Sequence, residues 1–291
     1  MTHRKMHVDE LDIDVELVSA VVAAQFPKWR ELPLARVPSF GTDNALFRLG
    51  GDLVVRLPRI EQAVGGAVSE YELLPQIGPH LSVAVPHPVA KGQPGAGYPW
   101  PWFVYGWLDG DNPALDDANG LADDLAEFIV SLRRIDASRA PASWRGRPLE
   151  TQRASFEHWI ATWDADLDAD AARRAWKRAL GAAPWHGPPT WFHGDLMSGN
   201  LLVQGTRLVA VIDWATAGAG DPAIDLLPAW ALFDAETREN FRSRAATDDA
   251  MWERGRGWAV LLGLAAVPYY KDTNPLLAET GRRLLAAALA A

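Results

Sequence analysis

Cysteine is absent from the 291 residues, which excludes disulfides, thiolate zinc sites and cysteine nucleophiles together. No Gly-x-x-x-x-Gly-Lys-Ser/Thr stretch occurs, so the chain is not a P-loop enzyme, and neither a His-Glu-x-x-His helix nor a Gly-x-Ser-x-Gly elbow is present. Gly218-Ala219-Gly220 is a fragment of a dinucleotide fingerprint that lacks the third glycine. Uninterrupted apolar runs of membrane-spanning length are missing too, since Glu279, Arg282 and Arg283 break the Ala- and Leu-rich tail. After Met1 to His7 there is no apolar signal core, because Asp9, Glu10, Asp12 and Asp14 interrupt it. The chain is therefore expected in the cytoplasm, away from membranes. Basic charge is also scarce: 28 Lys and Arg against 37 Asp and Glu leave a net charge of −9, which argues against non-specific binding to nucleic acid.

What is present points to a globular protein of two lobes. The length is large for a single core, 48% of the residues are apolar, and 14 tryptophans imply much buried aromatic area. No obligate protein partner is indicated.

The stretch from Trp191 to Trp214 carries the chemistry. Trp191-Phe192 reads as a strand end, His193-Gly194-Asp195-Leu196-Met197-Ser198-Gly199-Asn200 as a polar loop, and Leu201 to Ile212 as a hairpin turned at Gln204-Gly205-Thr206. Folding the hairpin antiparallel makes Asn200 enter and Asp213 leave at the same open side. Mg²⁺ prefers hard oxygen ligands, usually one or two protein groups with substrate phosphates and water. An amide oxygen from Asn200 and a carboxylate from Asp213 supply that. Asp195 lies upstream in the loop, where it could accept a proton from, or orient, a substrate hydroxyl attacking a γ-phosphate.

His193-Gly194-Asp195-x-x-x-x-Asn200, then Ile212-Asp213-Trp214 and Gly220-Asp221-Pro222-Ala223-x-Asp225-Leu226, resembles the aminoglycoside phosphotransferase family. That family shares the protein-kinase architecture, with His-Gly-Asp where protein kinases carry His-Arg-Asp. The resemblance implies an α+β, bilobal, protein-kinase-like fold. An N-terminal antiparallel-sheet lobe over residues 1–105 would bind nucleotide, and a mainly helical C-terminal lobe over 106–291 would hold the catalytic loop, metal site and acceptor pocket. It implies Mg²⁺-dependent transfer of the γ-phosphate of ATP or GTP to a small-molecule hydroxyl, with Asp195 catalytic and Asn200 and Asp213 holding the metal.

Upstream, Leu34 to Val37, Ala45 to Leu49 and Leu53 to Leu57 read as extended runs, the last two joined by a tight turn at Gly50-Gly51-Asp52, which makes an antiparallel sheet. In the resembling family the linker at 38–44 covers the nucleotide phosphates, which assigns Ser39 to the nucleotide; an ordinary hairpin loop is the other reading. Arg56 stands where kinases place a lysine on the α- and β-phosphates. An arginine keeps the charge and grips phosphate bidentately, and Arg56-Leu57-Pro58-Arg59 looks more like the macrolide kinases. A helix is expected over 67–77, with Glu70 matching the family glutamate that pairs with the strand cation. Trp100 to Gly110 reads as a buried strand leaving through glycine. In a kinase-like fold it is the lobe connector, where backbone groups from Tyr105 to Trp107 would meet the purine edge.

Elsewhere the periodicity predicts helices over 11–25, from 115 onward and over 151–180, with a surface linker at 138–150 around Pro141, Gly146 and Pro148. His3 and His7 are four apart, as a metal pair would be, though a frayed terminus is the plainer account. Asp164, Asp166, Asp168 and Asp170 alternate as in a calcium loop but lack its glycine and glutamate. By resemblance Asp221 and Asp225 brace the metal loop, and Asp221 before Pro222 also reads as a helix N-cap. Beyond Leu226 the pattern is helical, interrupted at Pro268-Tyr269-Tyr270, and Asp234, Glu236 and Glu239 could line an acceptor pocket or be plain surface charge.

The acceptor expected first is an aminoglycoside or macrolide antibiotic, with a sugar, amine or amino alcohol as the alternative. A catalytically silent kinase-like binding protein is the reading from a different class.

Overall fold

The computed structural model of the chain describes residues 10–38, 41–163 and 167–290. It divides into two compact units: the chain up to Pro79 with Ala84–Asp109 and Ala210–Ala215, and His80–Val83 with Gly110–Val209 and everything from Thr216 onward. A single cut at 105–106 thus becomes a boundary after Asp109, with a short later segment returned to the first unit.

In the first unit, helix α1 (Val15–Gln25) starts where the Asp14 side chain accepts the Leu17 N–H at 2.8 Å, an N-cap that satisfies an otherwise orphaned donor. Its end at Phe26 precedes Pro27, whose ring disfavours helical backbone at the residue before it. Strands β1 (Leu34–Arg36), β2 (Asn44–Leu49) and β3 (Leu53–Pro58) are followed by helix α2 (Glu61–Ile77), then β4 (Pro88–Gly92) and β5 (Trp102–Gly106). They form one five-stranded sheet in the order β1-β2-β3-β5-β4, every named pair antiparallel. Gly50 makes the β2–β3 turn at φ +64°, a conformation open to glycine and costly for most residues.

Successive strand residues point to opposite faces. Val55 and Leu57 of β3 and Trp102 and Val104 of β5 join Val18, Val21 and Val22 of α1 in one core cluster. The intervening residues Arg56, Phe103 and Tyr105 turn the other way, where Tyr71 of α2 meets the Phe103 ring at 5.2 Å and the Tyr105 ring at 6.0 Å. Both faces are covered, so a cation on β3 is buried. Helix α2 begins at Glu61 rather than at 67 as the pattern suggested, because Gly65-Gly66 blur its apolar stripe. A Cβ on Gly66 would lie 3.1 Å from that of Ala215, so the glycine permits a close approach there.

The second unit is mainly helical. It comprises α3 (Ala122–Arg133), α4 (Arg153–Ala161), α5 (Ala169–Gly181), α6 (Pro228–Ala231), α7 (Ala235–Arg244), α8 (Asp249–Tyr270) and α9 (Pro275–Leu289). Short strands β6 (Thr190–Phe192) and β9 (Gly218–Gly220) pair antiparallel, and β7 (Leu201–Gln204) pairs with β8 (Arg207–Val211), whose last residues belong to the first unit. Helix α8 is apolar around most of its circumference and is buried accordingly from Met251 to Val267. Where it crosses α9, a Cβ on Gly263 would sit 2.8 Å from Leu285 Cγ and 2.9 Å from the Gly281 carbonyl oxygen, so the crossing demands glycine.

Two expectations are corrected. Pro268 does not interrupt the last helices; α8 continues through it to Tyr270. Proline has no N–H to offer the carbonyl one turn back, and Trp163 Nε1 donates to that Leu264 carbonyl at 2.9 Å instead. The 138–150 segment is more than a surface linker, because Gly146 packs against Phe192 and Gly220 and Leu149 is buried. Asp168 caps α5 through the Ala171 N–H at 2.8 Å, while Asp164, Asp166, His3 and His7 lie outside the described residues. Among the described residues no helix is long and apolar enough to cross a membrane.

Candidate active site

The loop after β6 is built around two carboxylates. His193 is buried and Gly194 turns at φ +87°, and their two N–H groups both donate to Asp225, at 2.9 Å to Oδ2 and 2.7 Å to Oδ1. Burial pushes the Asp225 carboxyl upward, against the opposing pull of His193 and of these two donors. The Asp195 N–H donates to His193 Nδ1 at 3.2 Å, and Thr216 Oγ1 donates to the His193 carbonyl at 3.0 Å. Asp195 is thereby held at the loop's tip with its side chain 32% exposed.

Asn200 closes the loop. Its Nδ2 donates to the Asp195 carbonyl at 2.8 Å and to Asp195 Oδ2 at 2.9 Å. Asn112 Nδ2 reaches the carbonyls of Ser198, Gly199 and Leu201 at 3.3, 3.1 and 2.8 Å, and Ser198 Oγ donates to the Pro113 carbonyl at 2.6 Å. The five-residue spacing of Asp195 and Asn200 is thus a direct contact. The amide nitrogen is spent on the loop, and among the described residues Asn200 Oδ1 accepts no hydrogen bond. An amide oxygen left over in this way is a hard donor of the kind Mg²⁺ accepts.

Arg56, Glu70 and Asp213 meet in the first unit. Arg56 Nη1 donates to Glu70 Oε1 at 2.5 Å and Nη2 to Asp213 Oδ1 at 2.7 Å. Asn44, with its amide oxygen turned to the guanidinium, accepts from Nε at 3.2 Å and Nη2 at 3.0 Å. The other Glu70 oxygen accepts the Trp214 N–H at 2.7 Å, beside Asp213 in its left-handed backbone at φ +62°. Aspartate is one of the few residues with a side chain that visits this region routinely. Burial would lower the Arg56 pKa, but Glu70 and Asp213 outweigh it and hold the guanidinium above its ordinary value.

The remaining residues assigned to the nucleotide are placed differently. Ser39 lies outside the described residues. Tyr105 is inside β5, paired with Val54 on one side and Pro88 on the other, and its buried phenol is pushed upward by burial and then by Glu70. The Gly106 N–H donates to the His87 carbonyl at 2.9 Å and the Trp107 N–H to the Asp52 carbonyl at 2.8 Å. The Trp107 ring carries Arg48 over its face, 4.4 Å from the centroid.

Three residues, Arg254, Arg145 and Asn112, went unnoticed in the sequence, unlike Asp221. Asp221 caps the turn at Pro222–Leu226 through the Ala223 N–H at 3.1 Å, and it also binds Arg254 of α8, Nε to Oδ2 at 2.6 Å. Arg254 is one of two buried arginines on α8, with Arg256, and nothing in their pattern told them apart. Arg145, from the supposed linker, lies 3.7 Å from Asp195, Nη2 to Oδ1, and nothing in its local pattern marked it. Asn112 gave no signal either. Asp234 turns out to cap α7 through the Thr237 N–H at 2.8 Å.

Comparisons with known proteins bear on the fold and the family. A protein of Bacillus subtilis (strain 168), the uncharacterized protein YcbJ, is 27% identical over 223 residues, 71% of this chain and 70% of that one. The GDP and kanamycin complex of APH(2")-IIia has a TM-score of 0.72 at 18% identity, covering 94% of this chain and 98% of that chain. The apoenzyme of macrolide 2'-phosphotransferase MphH from Brachybacterium faecium has a TM-score of 0.60 at 22% identity, covering 93% and 98%. At these identities the structures share the fold, a kinase-like one with an antiparallel sheet and a mainly helical second part. The model of the phosphotransferase enzyme family, APH, matches residues 35–258, and the chain belongs to that family.

Proposed function

We propose that the protein transfers the γ-phosphate of ATP or GTP, with Mg²⁺, to a hydroxyl of a small molecule. The observation that carries this reading is the Asp195–Asn200 contact at 2.9 Å on a loop whose backbone is tied down by Asp225. A carboxylate so fixed and still open to solvent suits a group that orients a hydroxyl and takes its proton as the oxygen attacks phosphorus. The new oxygen–phosphorus bond forms as the bond to the bridging oxygen breaks, and the nucleoside diphosphate leaves.

Asn200 Oδ1 and Asp213 would hold Mg²⁺, which when bound neutralises charge on the phosphates. Arg56, steadied by Glu70, would grip the phosphates by exchanging its contact with Asp213. With the N–H groups of Gly106 and Trp107 engaged in the first unit, the next donor, Leu108 N–H, is the one we assign to the purine. Ser39 is retained as a phosphate contact on the strength of the family resemblance.

Aminoglycosides and macrolides are the acceptors to try first, given the kanamycin complex and the macrolide phosphotransferase among the related folds. Phosphorylation of a small metabolite is the second reading, favoured by the arginine beside Asp195. A coupled assay crossing ATP and GTP with aminoglycosides, macrolides, sugars, amines and amino alcohols tests the function. Turnover that requires Mg²⁺ and vanishes in Asp195→Ala, with nucleotide binding kept, is the expected result. Nucleotide binding without turnover of any acceptor would favour a silent binding protein.

A further inference from the structure

The phosphotransfer reading leaves the nearest cation to Asp195 unused. Arg145 sits on the single turn Trp144–Gly146 with its side chain 13% exposed, and its Nη2 is 3.7 Å from Asp195 Oδ1. Its guanidinium carbon lies 4.4 Å from the centroid of the Trp144 ring, which in turn packs 5.9 Å from Trp258. That cation–π contact takes none of the guanidinium N–H groups as a hydrogen-bond donor to a polar atom.

The turn is anchored to the same structure that holds the catalytic loop. Ser143 Oγ donates to the Thr216 carbonyl at 2.8 Å, and the Asp221 N–H donates to the Gly146 carbonyl at 3.0 Å. A Cβ on Gly146 would come within 2.1 Å of the Phe192 ring, so the backbone lies directly against β6. Yet the cation held there is poorly satisfied. Its Nε and Nη1 are shielded from solvent without a hydrogen-bond partner, and 3.7 Å to Asp195 is too long for a hydrogen bond. Leaving such donors unmade is costly, and a planar oxyanion is the ligand that a guanidinium fork matches. A polyamine brought to Asp195 would instead meet a like charge.

We propose that Arg145 selects the acceptor by binding a carboxylate or phosphate group carried on the hydroxyl compound that Asp195 engages. The acceptor is then an acidic hydroxyl compound rather than a polycation. The ligand's anion takes over as partner of Arg145 and leaves the Asp195 carboxylate to the hydroxyl. This assignment rests on the phosphotransfer reading for the role of Asp195, whereas the anion site itself can be read separately.

The test uses the full chain with matched probes: glycerate against glyceramide, glycerophosphate against glycerol, and kanamycin as the polycation. Binding is followed by calorimetry and turnover by nucleotide consumption with ATP and Mg²⁺. The expected result is a preference for the anionic member of each pair of about tenfold or more, equivalent to about 1.4 kcal/mol. Arg145→Gln should erase that preference, raising KM more than it lowers kcat, and Arg145→Lys should restore part of it. Equal binding of charged and neutral members, a preference for kanamycin, or an Arg145→Gln variant that keeps the anionic preference would overturn the proposal. Arg145-dependent anion binding without nucleotide consumption would support the anion site and count against the phosphotransfer reading instead. Glycerate against glycerophosphate separates the two anion sources.

Discussion

Arg56 and Asp213 are joined through a 2.7 Å hydrogen bond, although 157 residues separate them in the chain. The same guanidinium binds Glu70 at 2.5 Å, so one buried cation stands between two carboxylates. A buried pair broken on one side strands a charge, at about 3–5 kcal/mol, whereas replacing both partners by apolar groups is often near neutral. Arg56→Met alone should therefore lower stability by about 3–5 kcal/mol, and Arg56→Met with Glu70→Gln, which removes the stranded charge but keeps an acceptor for the Trp214 N–H, by clearly less. Urea denaturation of the two variants checks this, and a double variant that lost at least as much as Arg56→Met would count against the stranded-charge account. In both, nucleotide affinity should fall.

Asp195 can be separated from the scaffold that holds it. Asp195→Asn keeps the shape and the backbone contact to Asn200 but cannot accept a proton. General-base catalysis contributes typically 10²–10⁴-fold, so kcat should drop by about that factor while the unfolding midpoint stays near that of the parent protein. A loss of less than about tenfold in single-turnover phosphoryl transfer would remove Asp195 from the proton-transfer role.

Asp225 is the structural counterpart. It accepts from both His193 and Gly194 while fully enclosed. Asp225→Leu leaves two buried N–H groups without an acceptor, each costing about 1–3 kcal/mol. Thermal or urea unfolding should show a loss of a few kcal/mol, and Asp225→Asn, which keeps one acceptor, should lose less. If both variants were as stable as the parent, the bracing role would fail.

How much of this was legible depends on how far apart the partners lie. The hairpin of β7 and β8 followed from two apolar runs around Gly205, and the loop before it from a run of polar residues, because turn chemistry and alternation are local. The sheet of β1 to β3 was legible for the same reason. Helix α2 lost its first turns to view at Gly65-Gly66, where tertiary packing against Ala215 decides what propensity disfavours. Pro268 misled because the group that makes it tolerable, Trp163, is 101 residues from the carbonyl it satisfies. Arg145 and Arg254 were invisible as site residues on the same account. An arginine in a proline-rich linker or a largely apolar helix carries no periodic signal, and only the fold reveals the carboxylate it faces.

Asp234 offers a test of sign with pH. Its carboxylate accepts the Thr237 N–H at the start of α7 and the Asn119 amide at 2.7 Å, and these contacts hold its pKa below the ordinary carboxylate value, the Thr237 N–H first. A depressed carboxyl pKa means that the unfolded chain binds more protons, so this contribution to stability is fully present above the unfolded pKa of about 3.9. It is lost as pH falls through the lower folded value. Asp234→Asn preserves a neutral cap to the Thr237 N–H and removes the charge together with the second acceptor, which takes the Asn119 amide. The parent protein should therefore be the more stable of the two near neutral pH, and the gap should close below about pH 4. Urea midpoints of both proteins across that range decide the matter, and a gap that widened on acidification would reverse the assignment.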